Sequence, residues 1–298
     1  MQKIPKIYPP DETCRSALRE FISHAYRRAC VQTPAKSLLG RDIDLLTIGE
    51  GRENVLIAAA HHGAECGTAT IVYYFILSLL EAMEKNEEYF GVSLSEYLAR
   101  YKLWIIPAVN PDGIEISING LSENPLLLRQ KRMLGDTDHR VWQANARGVD
   151  INHNYREGFY EYKAIEGMLG ITPGVTKYSG EYPESEPESA FVARLVRAIS
   201  PSLVVSLHSQ GEEIFAYPEG LCDSYAYRLE ELLGYKISAP QGTARYGGLC
   251  DYTASLGIPS VTLEIGRGEN PIFESEIWRI AEKLSKALFL LPLAKNNY

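Results

Sequence analysis

Short apolar runs alternate with longer helix-patterned segments along this chain of 298 residues. The runs typical of buried strands lie at 54–60, 102–109, 203–207 and 258–265. Apolar residues recur at helical spacing in the segments at 66–84, 187–199, 224–233 and 274–290. Strands that alternate with helices in this way predict an α/β fold whose sheet is largely parallel or mixed.

The beginning of the chain is a polar segment with a pattern of its own. Leu18, Ile22 and Tyr26 are spaced as on one face of a helix. We therefore expect residues 1–40 to form an N-terminal lead-in with one helix. This lead-in is expected to pack on a single larger domain at 41–298.

Two connecting regions carry further predictions. The segments 42–48 and 54–60 lie on either side of a glycine-containing turn, which predicts a hairpin or adjacent strands. The region 114–186 is long, polar and weakly periodic. A stretch of that kind inside a compact domain is usually functional. We expect it to form much of the rim and wall of a cleft.

Composition limits the partners of this chain. Its net charge of −8 predicts no electrostatic attraction to nucleic acid or to anionic lipid, so a small or peptide-like partner is expected. The apolar stretch 71–83 is interrupted by Ser78 and Glu81 and is too short to span a bilayer. The five cysteines are odd in number and widely spaced, which predicts reduced thiols. The segment 1–13 has no apolar core of the signal-peptide type, so a cytoplasmic location is expected. The oligomeric state stays open.

Side chains with metal-binding chemistry follow two of the predicted strands. His62 and Glu65 come directly after the first strand, and His208 directly follows the third. Two histidines and one carboxylate are a donor set that holds a catalytic zinc with one coordination position open. Two alternatives remain at this point, since His61 competes with His62 and a buried His208 is equally consistent with a hydrogen-bonded core histidine.

Glu264 is a carboxylate within the otherwise apolar run at 258–265. Burying a carboxylate is costly unless it is paired, hydrogen-bonded or close to a metal. One interpretation is an ion pair with Arg267, which is close in sequence. The other is a general base that takes a proton from zinc-bound water and passes it to a leaving amine.

The order of six short motifs resembles that of the zinc carboxypeptidase family of carboxypeptidase A. The motifs are HGAE at 62–65, NPDG at 110–113, RGVDIN at 147–152, SE at 185–186, SLHS at 206–209 and TLE at 262–264. The resemblance implies an α/β/α sandwich around a mixed, twisted eight-stranded sheet with a funnel-shaped cleft. It also implies one Zn²⁺ held by His62, Glu65 and His208, with Glu264 as the general base and Asn152 as a ligand of the substrate's terminal carboxylate.

Within this family, several stretches are similar to bacterial γ-D-glutamyl-diamino acid peptidases, which cut cell-wall peptides. They are WQANARGVD at 142–150, YSGEYPESE at 178–186, HSQG at 208–211 and GGLCDY at 247–252. The resemblance implies zinc-dependent hydrolysis of an amide bond in a small peptide that bears a free carboxylate. The expected substrate is γ-D-glutamyl-meso-diaminopimelate in murein fragments.

The predicted carboxylate site departs from the family pattern. His153 stands where the family has an arginine, and histidine lacks the planar, permanent charge of arginine. A protonated His153 can still donate a hydrogen bond, and Arg156 is a candidate substitute cation. Cys250 is a candidate for the floor of the pocket that receives the leaving side chain.

The site of the scissile carbonyl also departs from the family pattern. Gln143 stands where an arginine is expected to polarise the carbonyl, so Arg147 is the candidate for that role. Tyr246 is the candidate for the family's mobile active-site tyrosine, with an ordinary loop tyrosine as the alternative. By family position, Asp150 is expected to orient a metal-binding histidine.

Three other functions remain alternatives. The nearest is an ordinary metallocarboxypeptidase that acts on α-peptides. A zinc deacylase of the aspartoacylase type shares the His-x-x-Glu and distant His pattern but resembles this chain less around 148–152. A non-catalytic binding protein on the same fold is suggested only by the changes at Gln143 and His153.

Overall fold

A mixed sheet of eight strands organises the part of the chain that the structure describes. The structure is a computed structural model and describes residues 4–121, 127–135 and 138–296. In chain order, the strands are β1 (Ala29–Lys36), β2 (Asp42–Ile48), β3 (Glu53–Ala59), β4 (Glu88–Tyr89), β5 (Val92–Ser93), β6 (Tyr101–Ile106), β7 (Leu203–Ser209), β8 (Glu213–Tyr217), β9 (Lys236–Ile237) and β10 (Ser260–Ile265). β4 and β5 pair with each other, and the main sheet has the order β1-β2-β6-β3-β7-β10-β8-β9.

Helices cover both faces of this sheet. In the described residues they are α1 (Glu12–Ala25), α2 (Gly67–Lys85), α3 (Leu94–Arg100), α4 (Pro111–Asn119), α5 (Leu128–Leu134), α6 (Phe159–Leu169), α7 (Pro187–Ile199), α8 (Asp223–Leu233), α9 (Leu249–Ser255) and α10 (Glu274–Leu290). Successive residues of a strand point to opposite faces. Val55 and Ile57 pack with α1, α2, α8 and α10, whereas Leu56 and Ala58 pack with α7 and α9. This arrangement confirms the predicted α/β/α sandwich.

The four central strands bring several loops to one edge of the sheet. β6, β3, β7 and β10 run parallel to their neighbours in this group, so their carboxyl ends lie together. In sheets of this kind, ligand sites lie beyond the carboxyl ends of the strands. The turn that carries His62 and Glu65 follows β3, and His208 lies near the end of β7.

The predicted hairpin of β2 and β3 is wrong. β6 lies between these strands, antiparallel to β2 and parallel to β3. Alternating hydrophobicity indicates that a segment is a strand, but it does not specify which strand becomes its neighbour. The strand β1 was also missed, because its mostly exposed residues carry little apolar signal. It lies within the predicted lead-in and pairs with β2 at the edge of the sheet.

The region 114–186 is more regular than its sequence indicates. It contains most of α4 and all of α5 and α6, of which none was predicted. α4 begins at the NPDG motif, where Asn110 accepts a hydrogen bond from the N–H of Gly113 and Pro111 occupies the first turn. Residues 122–126 and 136–137 of this region lie outside the described residues.

One long apolar helix, α2, is mostly buried. The segment Gly63–Lys85, which includes α2, is long and apolar enough to cross a membrane by length and composition alone. However, 83% of its apolar window is buried inside the protein. Burial to this extent is the property of a core helix, so the apolar character of α2 is explained by packing.

Candidate metal centre and active site

A short turn after β3 presents His62 and Glu65. The turn Gly63–Glu65 is a 3₁₀ helix, and the N–H of Gly63 donates to the carbonyl of Gln143 at 3.1 Å. Glycine is required at position 63, because a Cβ atom there would lie 2.1 Å from the carbonyl oxygen of Gly113. Close contact between these loops therefore sets the direction in which both side chains leave the backbone.

His62, Glu65 and His208 converge as the sequence predicts. Their donor atoms lie within 4.8 Å of one another. Nδ1 of His62 is 2.9 Å from Oε1 of Glu65, and Nδ1 of His208 is 3.1 Å from Oε2 of the same carboxylate. The two Nδ1 atoms are 3.3 Å apart. Ring nitrogens about 2.0–2.1 Å from a tetrahedral zinc are separated by about 3.3 Å, so the donor set fits this ion.

The histidine at position 62 is oriented by a buried carboxylate. Nε2 of His62 lies 3.0 Å from Oδ1 of Asp150, which is the expected contact. Burial opposes ionisation of Asp150, but His62 and His153 lower its pKa well below the usual range. Burial also lowers the pKa of His62, yet Glu65 and Asp150 outweigh this effect and raise it. A carboxylate in this position selects the tautomer whose Nδ1 is free to bind a metal.

Replacing Asp150 by asparagine is expected to weaken zinc binding about 10- to 100-fold, because His62 loses its charged orienting partner. Competition with a chromophoric chelator measures this affinity. The matched control is Asp138→Asn, which changes an exposed carboxylate that pairs with Arg140. Equal zinc affinities in the Asp150 variant and in the unmodified protein would contradict the orienting role.

His61 is not part of the donor cluster formed by His62, Glu65 and His208. Its ring is fully buried, and Nε2 lies 2.9 Å from the hydroxyl of Tyr155. The ring stacks on His208 with centroids 5.4 Å apart. Burial lowers the pKa of His61 well below its ordinary value, so the ring is neutral. His61 therefore packs behind the metal-binding side chains and does not join them.

Glu264 is next to the donor cluster because β7 and β10 are parallel neighbours. In their register Glu264 is paired with His208, and both residues line the same cavity. Burial raises the pKa of Glu264 to about 7, which gives the carboxylate a basicity suited to proton transfer near neutral pH. The alternative partner, Arg267, instead forms an ion pair with Glu212 at 2.6 Å.

The cavity beside the donors has a volume of about 180 Å³. This is below the range of about 300–1,000 Å³ that is typical for drug-sized ligands, so the cavity fits a small peptide group. Three of the predicted substrate-binding residues line it: Asn152, His153 and Cys250. Burial raises the pKa of the Cys250 thiol to about 12, so that side chain offers the substrate a neutral surface.

His153 presents a neutral ring to this cavity. Its Nδ1 donates to the carbonyl oxygen of Tyr246 at 2.8 Å, and the ring stacks on Tyr162 with centroids 3.8 Å apart. Burial lowers the pKa of His153. Because Nδ1 carries the proton, Nε2 of the neutral ring is an acceptor. A fixed cation of the arginine type is therefore not provided at this position.

Three predicted residues are placed elsewhere. Arg147 is half exposed, with its guanidinium 3.4 Å from Glu186. Arg156 is 3.7 Å from Glu184 and lines a different surface depression. Tyr246 contributes its carbonyl to His153 and is not among the described residues that line the cavity. None of these three side chains therefore lines the cavity next to the donor cluster in the described part of the chain.

Several cavity residues were not predicted from the sequence. Gln143 does line the cavity, and its Oε1 accepts a hydrogen bond from Oγ1 of Thr176. Lys177 follows Thr176 and lines the same cavity, as does Thr262 on β10. The only sequence signal for Thr176 and Lys177 was their position in the long polar region 114–186. The prediction that this region contributes to the wall of the cleft is confirmed.

Buried carboxylates also lie behind the loop that leads to Asp150. Nδ2 of Asn145 donates to Glu186 at 2.7 Å and lies 3.3 Å from Glu188. Oδ1 of Asn145 accepts from the backbone N–H of Val149 at 3.1 Å. Asn145 thus links the start of α7 to the residues just before Asp150.

Glu188 is expected to make stability depend on pH. Burial raises its pKa from 4.5 to about 7, and the carboxylate of Asp112 adds to the rise. The folded state then holds this proton more tightly than the unfolded state, so the free energy of unfolding falls as pH rises from about 4.5 to about 7, by about 3 kcal/mol. Urea unfolding across this range should show a smaller decline for Glu188→Gln. Identical pH slopes for the two proteins would refute this assignment.

The family profile of zinc carboxypeptidases matches residues 15–262. The chain therefore belongs to the zinc carboxypeptidase family, which uses one zinc, and it has the fold and donor set of a zinc metallopeptidase. The matched residues include His62, Glu65 and His208 and end just before Glu264. The position of Glu264 is thus supported by the structure itself.

Known relatives agree with this assignment. The chain is 29% identical over 267 residues to gamma-D-glutamyl-L-diamino acid endopeptidase 1 of Lysinibacillus sphaericus, covering 86% of this chain and 65% of that protein. It is 24% identical over 162 residues to murein peptide amidase A of Escherichia coli (strain K12), covering 53% and 49%. The chain thus spans less than two thirds of the length of both proteins.

A solved structure supports the fold. Bovine thrombin-activatable fibrinolysis inhibitor, solved with tick carboxypeptidase inhibitor, superposes with a TM-score of 0.72 at 19% identity. The match covers 97% of this chain and 98% of that chain. At this identity the likeness concerns the fold alone.

Proposed function

We propose that this protein hydrolyses the amide bond between γ-D-glutamate and meso-diaminopimelate in murein peptides. The observation that carries the hydrolase assignment is the convergence of His62, Glu65 and His208, with Glu264 in register with His208. The names of the two bacterial relatives, an endopeptidase for γ-D-glutamyl-diamino acids and a murein peptide amidase, support the substrate class.

Different residues of the site would bind the metal and transfer the proton. His62, Glu65 and His208 would hold a zinc ion, which would supply Lewis acidity for a water molecule and for the scissile carbonyl. Glu264 accepts the proton of the attacking water and delivers it to the leaving nitrogen. Burial of Glu264 keeps its pKa near 7, so one carboxyl group can take up a proton and then release it.

The leaving group is expected to occupy the cavity beside α9. Asn152 lines this cavity, and its Oδ1 accepts from the N–H of Leu249, which orients its Nδ2 as a donor for a substrate carboxylate. Cys250 offers a small neutral surface to the side chain of diaminopimelate. Since His153 is neutral, binding of a carboxylate to Nε2 should strengthen as pH falls and the ring becomes protonated.

An ordinary carboxypeptidase acting on α-peptides is the second candidate, favoured by the match of residues 15–262 to the zinc carboxypeptidase family profile. A paired assay separates the two. The zinc-loaded protein is incubated with L-Ala-γ-D-Glu-meso-diaminopimelate and, separately, with hippuryl-capped amino acids, and products are quantified by mass spectrometry.

We expect release of meso-diaminopimelate and little hydrolysis of the hippuryl substrates. Preferential cleavage of the hippuryl substrates would establish the second candidate and reject the first. Cleavage of neither substrate by protein that contains one zinc would reject both candidates and favour a deacylase or a binding protein.

A further inference from the structure

A γ-linked glutamyl residue differs chemically from an α-linked residue on the acyl side of the scissile bond. Its amide is formed by the side-chain carboxyl group, so the α-carboxylate stays free, a short carbon chain away from the carbonyl that is attacked. An enzyme that selects the γ-linkage therefore gains from a cation on the acyl side of its cleft. This need for a cation on the acyl side rests on the proposed function, the cleavage of a γ-glutamyl amide.

Lys177 is the only lysine or arginine among the described residues that line the cavity. The arginines expected from the sequence lie elsewhere, since Arg147 is next to Glu186 and Arg156 is next to Glu184. The neighbouring Lys163 is also engaged, because its ammonium lies 2.5 Å from Glu166. Three carboxylates, Asp150, Asp251 and Glu264, line the same cavity. Besides the metal, a positive side chain would favour binding of an anionic substrate next to them.

The backbone of Lys177 is held firmly although its side chain is exposed. Its N–H donates to Oδ2 of Asp150 at 3.0 Å, and its carbonyl accepts from the hydroxyl of Tyr162 at 2.9 Å. Asp150 is in turn 3.0 Å from His62. The chain of contacts places the Lys177 backbone two hydrogen bonds away from a metal-binding ring, and Lys177 lines the cavity next to that ring.

The residue before Lys177 in the chain contacts the position where the scissile carbonyl is expected. The preceding residue, Thr176, donates to Gln143, which stands where the family's carbonyl-polarising arginine is expected. Asn152, by contrast, is bonded to the N-terminus of α9, on the side assigned to the leaving group. A substrate that spans both sides brings its acyl portion towards Lys177.

We propose that Lys177 determines specificity by pairing with the free α-carboxylate of the γ-glutamyl residue. An oxyanion-stabilising role fits the geometry less well. Groups that stabilise an oxyanion are preorganised in a water-excluded site. The side chain of Lys177 is exposed, and among the described residues no contact is shown that fixes its ammonium group. An exposed ammonium contributes by binding a charged substrate group.

The test compares two tripeptides that differ only at this carboxylate, L-Ala-γ-D-Glu-meso-diaminopimelate and its α-amide, L-Ala-γ-D-isoglutaminyl-meso-diaminopimelate. Lys177→Met removes the charge at similar length, and Lys177→Arg keeps it. Both replacements are unbranched at Cβ, which suits the positive φ of 70° at this position. Lys286→Met is the control, since Lys286 is an exposed lysine on α10.

The unmodified enzyme is expected to prefer the acid over the amide. Lys177→Met should lower kcat/KM for the acid about tenfold, mainly through KM, because one partly exposed charge-assisted contact is lost. It should leave kcat/KM for the amide unchanged, and Lys177→Arg should retain the preference. In Glu264→Gln protein, adding Lys177→Met should weaken binding of the acid about tenfold by calorimetry.

Equal losses for both tripeptides, or a fall in kcat at constant KM, would overturn the pairing in favour of an oxyanion or structural role. Equal use of acid and amide by the unmodified enzyme would overturn it as well. In these outcomes the γ-glutamyl peptidase activity stands and only the role of Lys177 fails. Hydrolysis of neither tripeptide by the unmodified, zinc-loaded enzyme would instead reject the proposed function, and the pairing with it.

Discussion

Glu264→Gln is expected to lower kcat by about 10²- to 10⁴-fold while one zinc per chain remains bound. Glutamine has nearly the same shape but cannot accept a proton, and loss of a general base costs a factor of this size. The donors at positions 62, 65 and 208 are unchanged, so the metal content should not fall. Steady-state kinetics on the γ-linked tripeptide, together with elemental analysis, measure the two properties separately.

The control for this substitution is Glu213→Gln on the neighbouring strand. In the antiparallel register of β8 and β10, Glu213 is paired with Glu264, but it does not line the cavity among the described residues. The carboxylate of Glu213 adds to the rise in the pKa of Glu264, so the control should shift the pH profile slightly and keep kcat close to that of the unmodified protein. If Glu264→Gln retains full kcat, Glu264 is not the proton acceptor and the mechanism must use another group.

His208→Ala is expected to abolish stable zinc binding. Only two of the three donors would remain, so the metal would be lost. Because the metal supplies several kcal/mol of transition-state stabilisation, activity should fall by about 10³-fold or more. The folded state also loses ligand-binding free energy, which amounts to about 4 kcal/mol at a zinc concentration 1,000 times the Kd. Zinc content after dialysis and thermal unfolding with added zinc report these losses.

His61→Gln is the matched comparison, because His61 stacks on His208 but its Nε2 contacts Tyr155. This variant should lose some stability through changed packing and still bind one zinc. If His61→Gln loses zinc and His208→Ala keeps it, then His61 is a metal donor, His208 is not, and the proposed donor set is wrong.

The metal donors were predictable because their signal is chemical and local. His62 and Glu65 belong to one turn, and His208 is the second-last residue of an apolar strand, so these donors lie at the same edge of the sheet. The positions of the arginines were not predictable in the same way. The ion pairs of Arg147 and Arg156 join them to residues 39 and 28 positions away, and only the folded chain specifies these partners.

The strand order shows the same limit. The apolar pattern predicts β2, β3 and β6 as strands, but nothing in it indicates that β6 lies between the other two. Similarly, the sequence shows that His153 replaces an arginine. It does not show which nitrogen of the His153 ring carries the proton, because the carbonyl of Tyr246, which accepts from Nδ1, lies 93 residues away in the chain.

The sequence by itself determined the class of fold, the identity of the three metal donors and the nearby acidic residue. The fold class follows from the apolar patterns, whereas His62, Glu65, His208 and Glu264 were singled out by the resemblance of the motif order to the zinc carboxypeptidase family. Only the tertiary structure decided that Lys177 lines the cavity and that Arg147 and Arg156 pair with carboxylates elsewhere. The physical reason is that a long, exposed side chain takes its position from contacts between distant segments, and those contacts form only when the chain has folded.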